Sequence, residues 1–143
     1  MTGTVFAAGS VTQSLAIYPN TTTSVLTFSF IGDASNGSVP DTAISAAILD
    51  KVEGWYIYMV DTKPGTTAPT TLYDITIENA DGVDLMGGTL ANRSATAAER
   101  ATATIDTVKA ITGMPQIVGA TTIKVTNQSV ASATWTMKIY LTR

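Results

Sequence analysis

Four carboxylates stand close together in residues 71–88, TLYDITIENADGVDLMGG, and groups of this kind can do acid–base chemistry. They are Asp74, Glu78, Asp81 and Asp84, placed around a glycine-containing turn. A glycosidase needs two such groups held roughly 5 to 10 Å apart in a cleft. Asp74 and Glu78 are four residues apart on one strand face, which separates their Cα atoms by about 13 Å. This spacing favours solvated charges on an outer face, and we expect folding to survive replacement of all four by Asn or Gln.

The same turn could hold calcium, since Asn79, Asp81 and Asp84 offer oxygen ligands beside a glycine. The helix-flanked calcium loop, however, requires a glutamate at its twelfth position. Counted from Asn79, that position is Leu90, so the pattern of the loop is absent. A looser metal site at the turn and a carboxylate-dependent hydrolase are kept as alternatives.

Two residue types that carry much of the chemistry of enzymes are missing, because the chain contains no cysteine and no histidine. Without cysteine there is no disulfide, thiolate nucleophile or cysteine-ligated metal. Without histidine there is no imidazole base, Ser-His-Asp triad or histidine-ligated zinc. We therefore expect a protein that is not an enzyme and has no catalytic residues, no cofactor and no metal.

Charge is sparse, since only 13% of the residues are charged and the formal net charge is -3. A typical soluble domain has roughly 25% charged residues. The eight basic side chains are scattered along the chain, so we expect no binding to nucleic acid. A surface of hydroxyl and methyl groups can instead pack against other proteins without desolvating many ions.

The chain contains no run of the ~20 apolar residues that a membrane span needs, so we expect no membrane insertion. Residues 1–13, MTGTVFAAGSVTQ, lack the basic and long apolar regions of a signal peptide. We therefore expect a protein that is made and used without export. The length of 143 residues predicts a single domain, residues 1–143, that can bury a core.

Alternation of apolar and polar residues with a period of two dominates the first 30 residues and predicts strands. Two such segments, residues 11–18 and 24–30, are separated by the turn PNTTT and predict a hairpin. Gln13 is the one polar residue on the apolar face of the first segment. The apolar residues on the two strand faces are Val11, Leu15, Ile17, Leu26, Phe28 and Phe30.

The period changes in residues 41–54, DTAISAAILDKVEG, where apolar residues recur at helical spacing. Asp41 or Thr42 is expected to cap the start of this helix, and Gly54 is expected to follow its end. The apolar stripe consists of Ile44, Ile48, Leu49 and Val52. One short helix is therefore predicted, with a β-excursion at a sheet edge as the alternative.

The middle of the chain returns to strands. Residues 55–60, WYIYMV, predict a strand with Trp55, Ile57 and Met59 on one face, followed by a solvent-facing loop over residues 61–71. The other three side chains of that strand, Tyr56, Tyr58 and Val60, are expected on the opposite face. The acidic stretch that follows predicts a hairpin, with strands at residues 72–78 and 83–86 joined by the turn NADG.

The last third of the chain ends in the clearest strand pattern. Residues 95–100 predict a helical turn, residues 103–108 a strand, and residues 113–119 an irregular connection. Two strands at residues 121–127 and 133–143, joined by QSVAS, are expected to close the chain. The apolar face of the last strand consists of Ala133, Trp135, Met137, Ile139 and Leu141. With about seven or eight short strands, we predict an all-β, single-domain β-sandwich or jelly roll with one short helix.

Aromatic side chains outside the expected core are candidates for contact with a partner. We expect Trp55 and Trp135 to lie in the core, and Tyr56, Tyr58 and Tyr140 to reach the surface. The three tyrosines could also form a stacking platform for carbohydrate. Two segments rich in Thr, Ala and Gly are further candidates, because such segments suit a surface that becomes buried in an assembly. Their candidate residues are Pro64, Pro69, Asn92 and Arg93.

Three further patterns are GWYIYMVDTKPGTTAPTTLYDITIENADGVDLMGG, ANRSATAAE and TIKVTNQSVASATWTMKIYL. In order, they contain an aromatic strand, a Pro/Gly loop, a hairpin, an NRS loop and a closing strand pair. This series of folding elements, within residues 54–141, resembles small virion structural proteins of tailed bacteriophages. Within such proteins it looks most like a head decoration or cement protein with a jelly-roll-like fold. The resemblance brings no catalytic motif.

The resemblance implies a non-enzymatic protein that binds the major capsid protein on the outer surface of the capsid. It would stabilise contacts between capsid subunits, reside in the virion and assemble in the bacterial cytoplasm. Decoration sites lie on local symmetry axes, where a repeated subunit gains avidity, so we expect a homo-oligomer, with a trimer preferred over a dimer. The alternatives are a tail, neck or fibre-associated adaptor and, less favoured, a carbohydrate-binding β-sandwich module.

Overall fold

The structure, a computed structural model, describes residues 7–143. The expectation that residues 1–13 form no signal peptide therefore falls partly outside the described residues. Within residues 7–143 no helix is long and apolar enough to cross a membrane. The elements in chain order are β1 (Ser10–Ile17), β2 (Thr23–Ile31), β3 (Thr42–Ala43), α1 (Ala46–Val52), β4 (Tyr56–Pro64), β5 (Asp74–Glu78), β6 (Glu99–Ala101), β7 (Ala103–Asp106), β8 (Ile111–Gly113), β9 (Thr122–Thr126) and β10 (Thr134–Thr142).

The strands pair antiparallel in two main sheets and one separate hairpin. The larger sheet has five strands in the order β1-β2-β10-β4-β6, and the smaller has three in the order β3-β9-β5. Strands β7 and β8 form a two-stranded sheet of their own. The fold is an all-β sandwich-type domain with one short helix, which confirms the predicted fold class.

The core lies between the two main sheets and follows from the alternation within their strands. Trp135 of β10 connects the two layers, because its ring centroid lies 4.9 Å from that of Phe30 in β2 and 5.5 Å from that of Tyr73 beside β5. Aromatic pairs at these separations contribute roughly 0.5–1.5 kcal/mol beyond the area that they bury. The other buried residues of β2, β5 and β10 include Leu26, Phe28, Ile75, Ile77, Met137, Ile139 and Leu141.

Gln13, the polar residue on the apolar face of β1, has a structural role. Its Nε2 donates a hydrogen bond to the carbonyl oxygen of Ala43 at 2.7 Å, and its Oε1 accepts one from the backbone N–H of Ser45 at 3.0 Å. These bonds join the outermost strand of the large sheet to the last residue of β3 and to the connection that follows it. They explain why a glutamine interrupts the apolar pattern of this strand.

The predicted helix is confirmed, but it begins later than the sequence suggested. Its N-cap residue is Ser45, whose side chain makes no capping hydrogen bond. Asp41 and Thr42 therefore do not cap the helix, and Thr42 instead belongs to β3. Gly54 follows the helix with a φ of 83°, the left-handed conformation that is common just after a helix.

Strand β4 differs from its prediction in its length and in which of its side chains point toward the core. It continues to Pro64, so the first part of the loop predicted over residues 61–71 is strand. A shift in the register with β10 marks a β-bulge near Tyr58, and a bulge places two residues opposite one. Ile57 and Val60 are therefore both buried, although strict alternation had placed them on opposite faces.

Three other elements also differ from their predictions. Residues 83–86 form only an isolated bridge, between Glu78 and Asp84, so the predicted hairpin has one strand instead of two. Residues 95–100 contain no helical turn and lead into β6. Strands β9 and β10 lie in different sheets, and the segment QSVAS connects the two layers of the sandwich.

Candidate protein-contact surface

Asp84 stabilises the turn of the acidic stretch. Its Oδ1 accepts hydrogen bonds from the backbone N–H groups of Ile77 and Met86, each at 3.1 Å, and its Oδ2 accepts one from Gly88 at 2.7 Å. Hydrogen bonds to a charged acceptor are stronger than those between neutral groups. Asp81, by contrast, is exposed at the tip of the turn. Asp84 therefore fixes the backbone of this turn through three hydrogen bonds.

The remaining two carboxylates of this stretch also have their own partners. Asp74 accepts hydrogen bonds from the backbone N–H of Asn92 at 2.7 Å and from the side-chain amide of Asn127. Glu78 pairs with Lys124 on β9, with 2.7 Å between Oε2 and Nζ, and this hydrogen bond lowers the pKa of Glu78. Within residues 7–143, no three acidic side chains are grouped so that they could hold a metal ion.

A connected set of charged and aromatic side chains lies on the outer face of the five-stranded sheet, the face turned away from the core. Asp61 of β4 stands opposite Arg100 of β6, and two hydrogen bonds join them, Nε to Oδ1 at 2.7 Å and Nη2 to Oδ2 at 2.8 Å. The guanidinium carbon lies 5.9 Å from the centroid of the Tyr140 ring, which is 6.0 Å from that of Tyr58. We call Tyr58, Asp61, Arg100, Lys138 and Tyr140 the outer-face patch.

The ion pair determines the electrostatics of the outer-face patch. The hydrogen bond from Arg100 lowers the pKa of Asp61 below its ordinary value. Burial raises the pKa of Tyr140, and the nearby Asp61 carboxylate raises it further. At neutral pH the carboxyl group is therefore ionised and the phenol is neutral. Lys138 stands opposite Asp61 in β10, so the patch carries two cations and one anion.

Two shallow depressions, both open to solvent, lie along this face of the sheet. The first has a volume of about 550 Å³, and every member of the outer-face patch except Tyr58 lines it. The second has a volume of about 420 Å³ and adjoins the first, since Lys63 and Thr136 line both. Their walls offer hydroxyl, ammonium and carboxylate groups beside a tyrosine ring. Depressions of this kind can accept protruding side chains of a partner or a small polar ligand.

The structure brings together two of the contact residues predicted from the sequence, Tyr58 and Tyr140. Tyr56 is 41% exposed at the start of β4, and Pro64 lies at the other end of that strand, in the lining of the second depression. Asn92 is exposed on a loop beside β5, where its backbone N–H is bound to Asp74. The predicted residues are therefore spread over several parts of the molecule.

Arg93 is buried, which corrects its prediction as a contact residue. Only 9% of it is exposed, and its Nε lies 3.6 Å from Oε2 of Glu99. Its backbone N–H donates to the carbonyl oxygen of Tyr73 at 2.7 Å, so it fastens its loop to the β5 segment. Burial also raises the pKa of Tyr73 to about 12. The Arg93 side chain is therefore not available to a partner, and its Nε and Nη1 find no hydrogen-bond partner among the described residues.

Pro69 is buried as well, which corrects its contact role, whereas residues 65–67 and 71 of the same predicted loop are exposed to solvent. The backbone of this segment is fixed at several points. Thr134 N–H donates to the carbonyl oxygen of Thr67 at 2.7 Å, and the N–H of Thr70 donates to Oε1 of Gln128 at 2.7 Å. These bonds hold the segment against the link between β9 and β10.

The sequence analysis missed Asp61, Arg100 and Lys138 as candidates. One signal was available, because the alternation of β10 places Lys138 on the same face as Tyr140. The other two residues lay in a predicted loop and a predicted helical turn. Their pairing depends on the contact between β4 and β6, which brings together residues 39 positions apart in the chain.

Comparison with known proteins adds no relative to this description, since no family model, curated protein or solved structure matches the chain. The class that the fold defines is an all-β sandwich-type domain. Its distinguishing surface features are the outer-face patch and the two depressions beside it.

Proposed function

We propose that this chain is a non-enzymatic decoration protein of a tailed-phage virion, which binds the outer surface of the capsid and stabilises contacts between major capsid subunits. The outer-face patch is the observation that supports this function best. Tyrosine and arginine are enriched among the residues that dominate binding energy at protein interfaces. In the patch, Arg100 is already held by Asp61 and Tyr140 in the free chain.

Such preorganisation matters because ordering a long side chain at an interface costs roughly 0.5–1.5 kcal/mol. An arginine that is fixed before binding avoids much of this cost. Charge is sparse over the chain as a whole, so the ions to be desolvated are mainly the three of the patch, and two of these, Asp61 and Arg100, are already paired with each other. The resemblance of residues 54–141 to small virion proteins supports the capsid as the proposed partner.

Mixing the purified chain with undecorated capsids tests the proposal. We expect saturable binding and an increase in the resistance of the capsid to heat and to chelation. Tyr140→Ala should weaken binding roughly tenfold or more if the patch is central to the interface. Tyr18→Ala is the matched control, because Tyr18 is an exposed tyrosine at the turn between β1 and β2. Failure of the unaltered chain to bind would reject the proposal, and equal effects of the two substitutions would reject the patch as the contact.

A tail, neck or fibre-associated adaptor is the alternative within the virion, and it would use the same patch. Copy number separates the two roles, because a decoration protein covers the capsid in hundreds of copies and an adaptor is present in few. Quantitative mass spectrometry of virions measures this number directly. A count of a few copies per particle would replace decoration by the adaptor role.

The first depression favours one function of another class, the binding of carbohydrate. Tyr140 lines it together with Asp61, Lys138 and Arg100, which offer hydrogen-bonding groups beside an aromatic ring. A glycan array followed by titration tests this alternative. Binding that is lost in both Tyr140→Ala and Lys138→Ala would support it. An array without any bound glycan would exclude it for the glycans tested.

A further inference from the structure

Strand β1 forms one edge of the five-stranded sheet, and only one of its sides is paired. All eight of its residues pair with β2, from Ser10 opposite Ile31 to Ile17 opposite Ser24. In an antiparallel pair, alternate residues direct their N–H and C=O groups away from the partner strand. No described residue makes a backbone hydrogen bond to that outer side of β1. Within residues 7–143, the outer donors and acceptors of β1 therefore have no backbone partner.

This edge also lacks the features that usually prevent pairing with another strand. Natural sheets protect their edges with charges, proline, bulges or very short strands. β1 is eight residues long, contains no proline and pairs with β2 without a register shift. The first charged side chain of the sequence is Asp33, which follows β2. Neither strand of the β1–β2 hairpin therefore carries a charge.

We propose that β1 pairs antiparallel with β1 of a second copy of this chain, across a two-fold axis that passes through the sheet at Ser14. Because the strand is neutral, two identical strands can meet without placing like charges opposite each other. A contact of this kind is isologous, so it uses the same surface on both copies. It joins the two five-stranded sheets into one continuous sheet.

The register centred on Ser14 brings apolar side chains together at its two ends, while Gln13, whose side chain is already bonded to Ala43 and Ser45, lies opposite Leu15. It places Val11 of one copy opposite Ile17 of the other, on the face that is turned toward the core. Ile17 is 50% exposed in the single chain, and this pairing covers it with another apolar side chain. Cross-strand apolar pairs are a main source of stability in sheets. Thr12 meets Ala16 on the outer face, where both residues are small and uncharged.

Pairing of one edge strand buries less than the roughly 800 Å² per partner of a standard stable interface. We therefore expect a weak dimer, whose population rises with protein concentration. The trimer expected from the symmetry of capsid decoration sites cannot be closed by this contact, because an isologous contact joins only two copies. Sedimentation of the full chain from micromolar to submillimolar concentration separates the dimer from the trimer and from the 14.9 kDa monomer.

Cross-linking tests the register, because the chain contains no cysteine and a single introduced cysteine reports on one position. Ser14→Cys places two thiols opposite each other at the axis, at a Cβ separation of about 4.5–5.5 Å. Ser10→Cys is the matched control on the same strand and face, but its two copies would lie about 26 Å apart. We expect a covalent dimer to form at least tenfold faster in Ser14→Cys than in Ser10→Cys. Equal rates, or faster formation in Ser10→Cys, would overturn the proposed pairing.

A charge on the edge provides the second test. Thr12→Lys places an ammonium group on the open edge strand, and we expect it to abolish the dimer in sedimentation. Ser29→Lys carries the same charge on the outer face of β2, which is not an edge, and should leave the dimer intact. A dimer that survives Thr12→Lys, or an unaltered chain that stays monomeric, would overturn the proposal. Because these measurements use the full chain and no capsid, their outcome is independent of the proposed decoration function.

Discussion

The two edges of the five-stranded sheet differ in length and in charge. β6 is three residues long and contains Glu99 and Arg100, and Arg100 is bound to Asp61 on the next strand. β1 is eight residues long and contains no charged residue. A short, charged strand resists pairing with another chain, whereas a long neutral strand permits it. The β6 side of the sheet therefore offers charged and aromatic side chains to a partner, and the β1 side offers backbone groups.

The outer face of the sheet shows the same division. The half formed by β10, β4 and β6 carries the outer-face patch. The half formed by β1 and β2 carries no charge and presents mostly small side chains, which include Ser10, Thr12, Ser14, Ala16, Thr27 and Ser29, together with the apolar Val25 and the half-exposed Ile31. One half can thus supply the aromatic and charged contacts of an interface. The other half gives neighbouring molecules close access to the backbone of β1.

Both edges depend on the central strand β10, so removing its largest core side chain should have the largest effect. Trp135 is 1% exposed and stacks against Phe30 of β2. We expect Trp135→Ala to lower the free energy of unfolding by about 3–5 kcal/mol, because it leaves a cavity between the two sheets. Urea unfolding measures this change.

Trp135→Phe is the matched variant, since it keeps an aromatic ring. It also removes the indole N–H, which finds no hydrogen-bond partner among the described residues. We expect a clearly smaller loss of stability from this variant. An equal loss from both substitutions would mean that filling the space between the sheets is not what Trp135 contributes.

Strand β5 forms one edge of the three-stranded sheet. A loop covers this edge, and Asp84 holds the loop in place. Asp84→Ala leaves three backbone N–H groups without their acceptor and should cost about 1–3 kcal/mol of unfolding free energy. Asp81→Ala removes a carboxylate from the exposed tip of the same turn and should change stability by less than ~0.5 kcal/mol. Chemical denaturation of the two variants compares them directly. Similar losses would show that the charge of the turn matters and not the hydrogen bonds of Asp84.

The strands that were predicted well are those whose two faces meet different surroundings. β2 and β10 each bury one face completely, so apolar residues alternate along them and the pattern is visible in the sequence. β5 is similar, with Ile75 and Ile77 buried and Thr76 between them partly exposed. Local periodicity is sufficient in these cases because burial repeats every second residue.

The features that were missed depend on contacts between distant segments. The bulge near Tyr58 arises from the register of β4 against β10, which periodicity within one strand does not reveal. Asp61 and Arg100 meet only after β6 pairs with β4. Asp84 accepts hydrogen bonds from Ile77 and Gly88 only because residues 77–88 fold back on themselves. The division of β9 and β10 between sheets was missed because strands adjacent in sequence most often pair.

Substitution of Gln13 tests which contacts hold the edge strand β1 in position. Gln13→Ala removes both hydrogen bonds to the connection between β3 and α1, and we expect a loss of about 1 kcal/mol in unfolding free energy. Thr12→Ala, on the opposite face of the same strand, should have little effect. Hydrogen exchange of the β1 amides provides a local measurement, and we expect faster exchange only in Gln13→Ala. Unchanged exchange would show that β2 alone positions the edge.

The smallest effect is expected at the protected edge, from the pH dependence of the ion pair between Asp61 and Arg100. Because the pKa of Asp61 is lowered from 3.8 in the folded chain, the folded state binds its proton less readily than the unfolded state does. The contribution of the pair to stability is therefore full well above pH 3.8 and is lost as the pH falls through the lower pKa of the folded state. Asp61→Asn should remove this part of the acid dependence, whereas other carboxylates such as Glu78 keep theirs.

Unfolding free energies measured between pH 7 and about pH 2 in both chains give this difference as a function of pH. The effect should be small, because the pair is partly exposed and solvent screens it. It should shrink further at high salt. An identical acid dependence in the two chains would mean that the ion pair does not stabilise the fold. The protection of the β6 edge would then rest on the shortness of its strand, and the contrast with β1 would be one of length instead of charge.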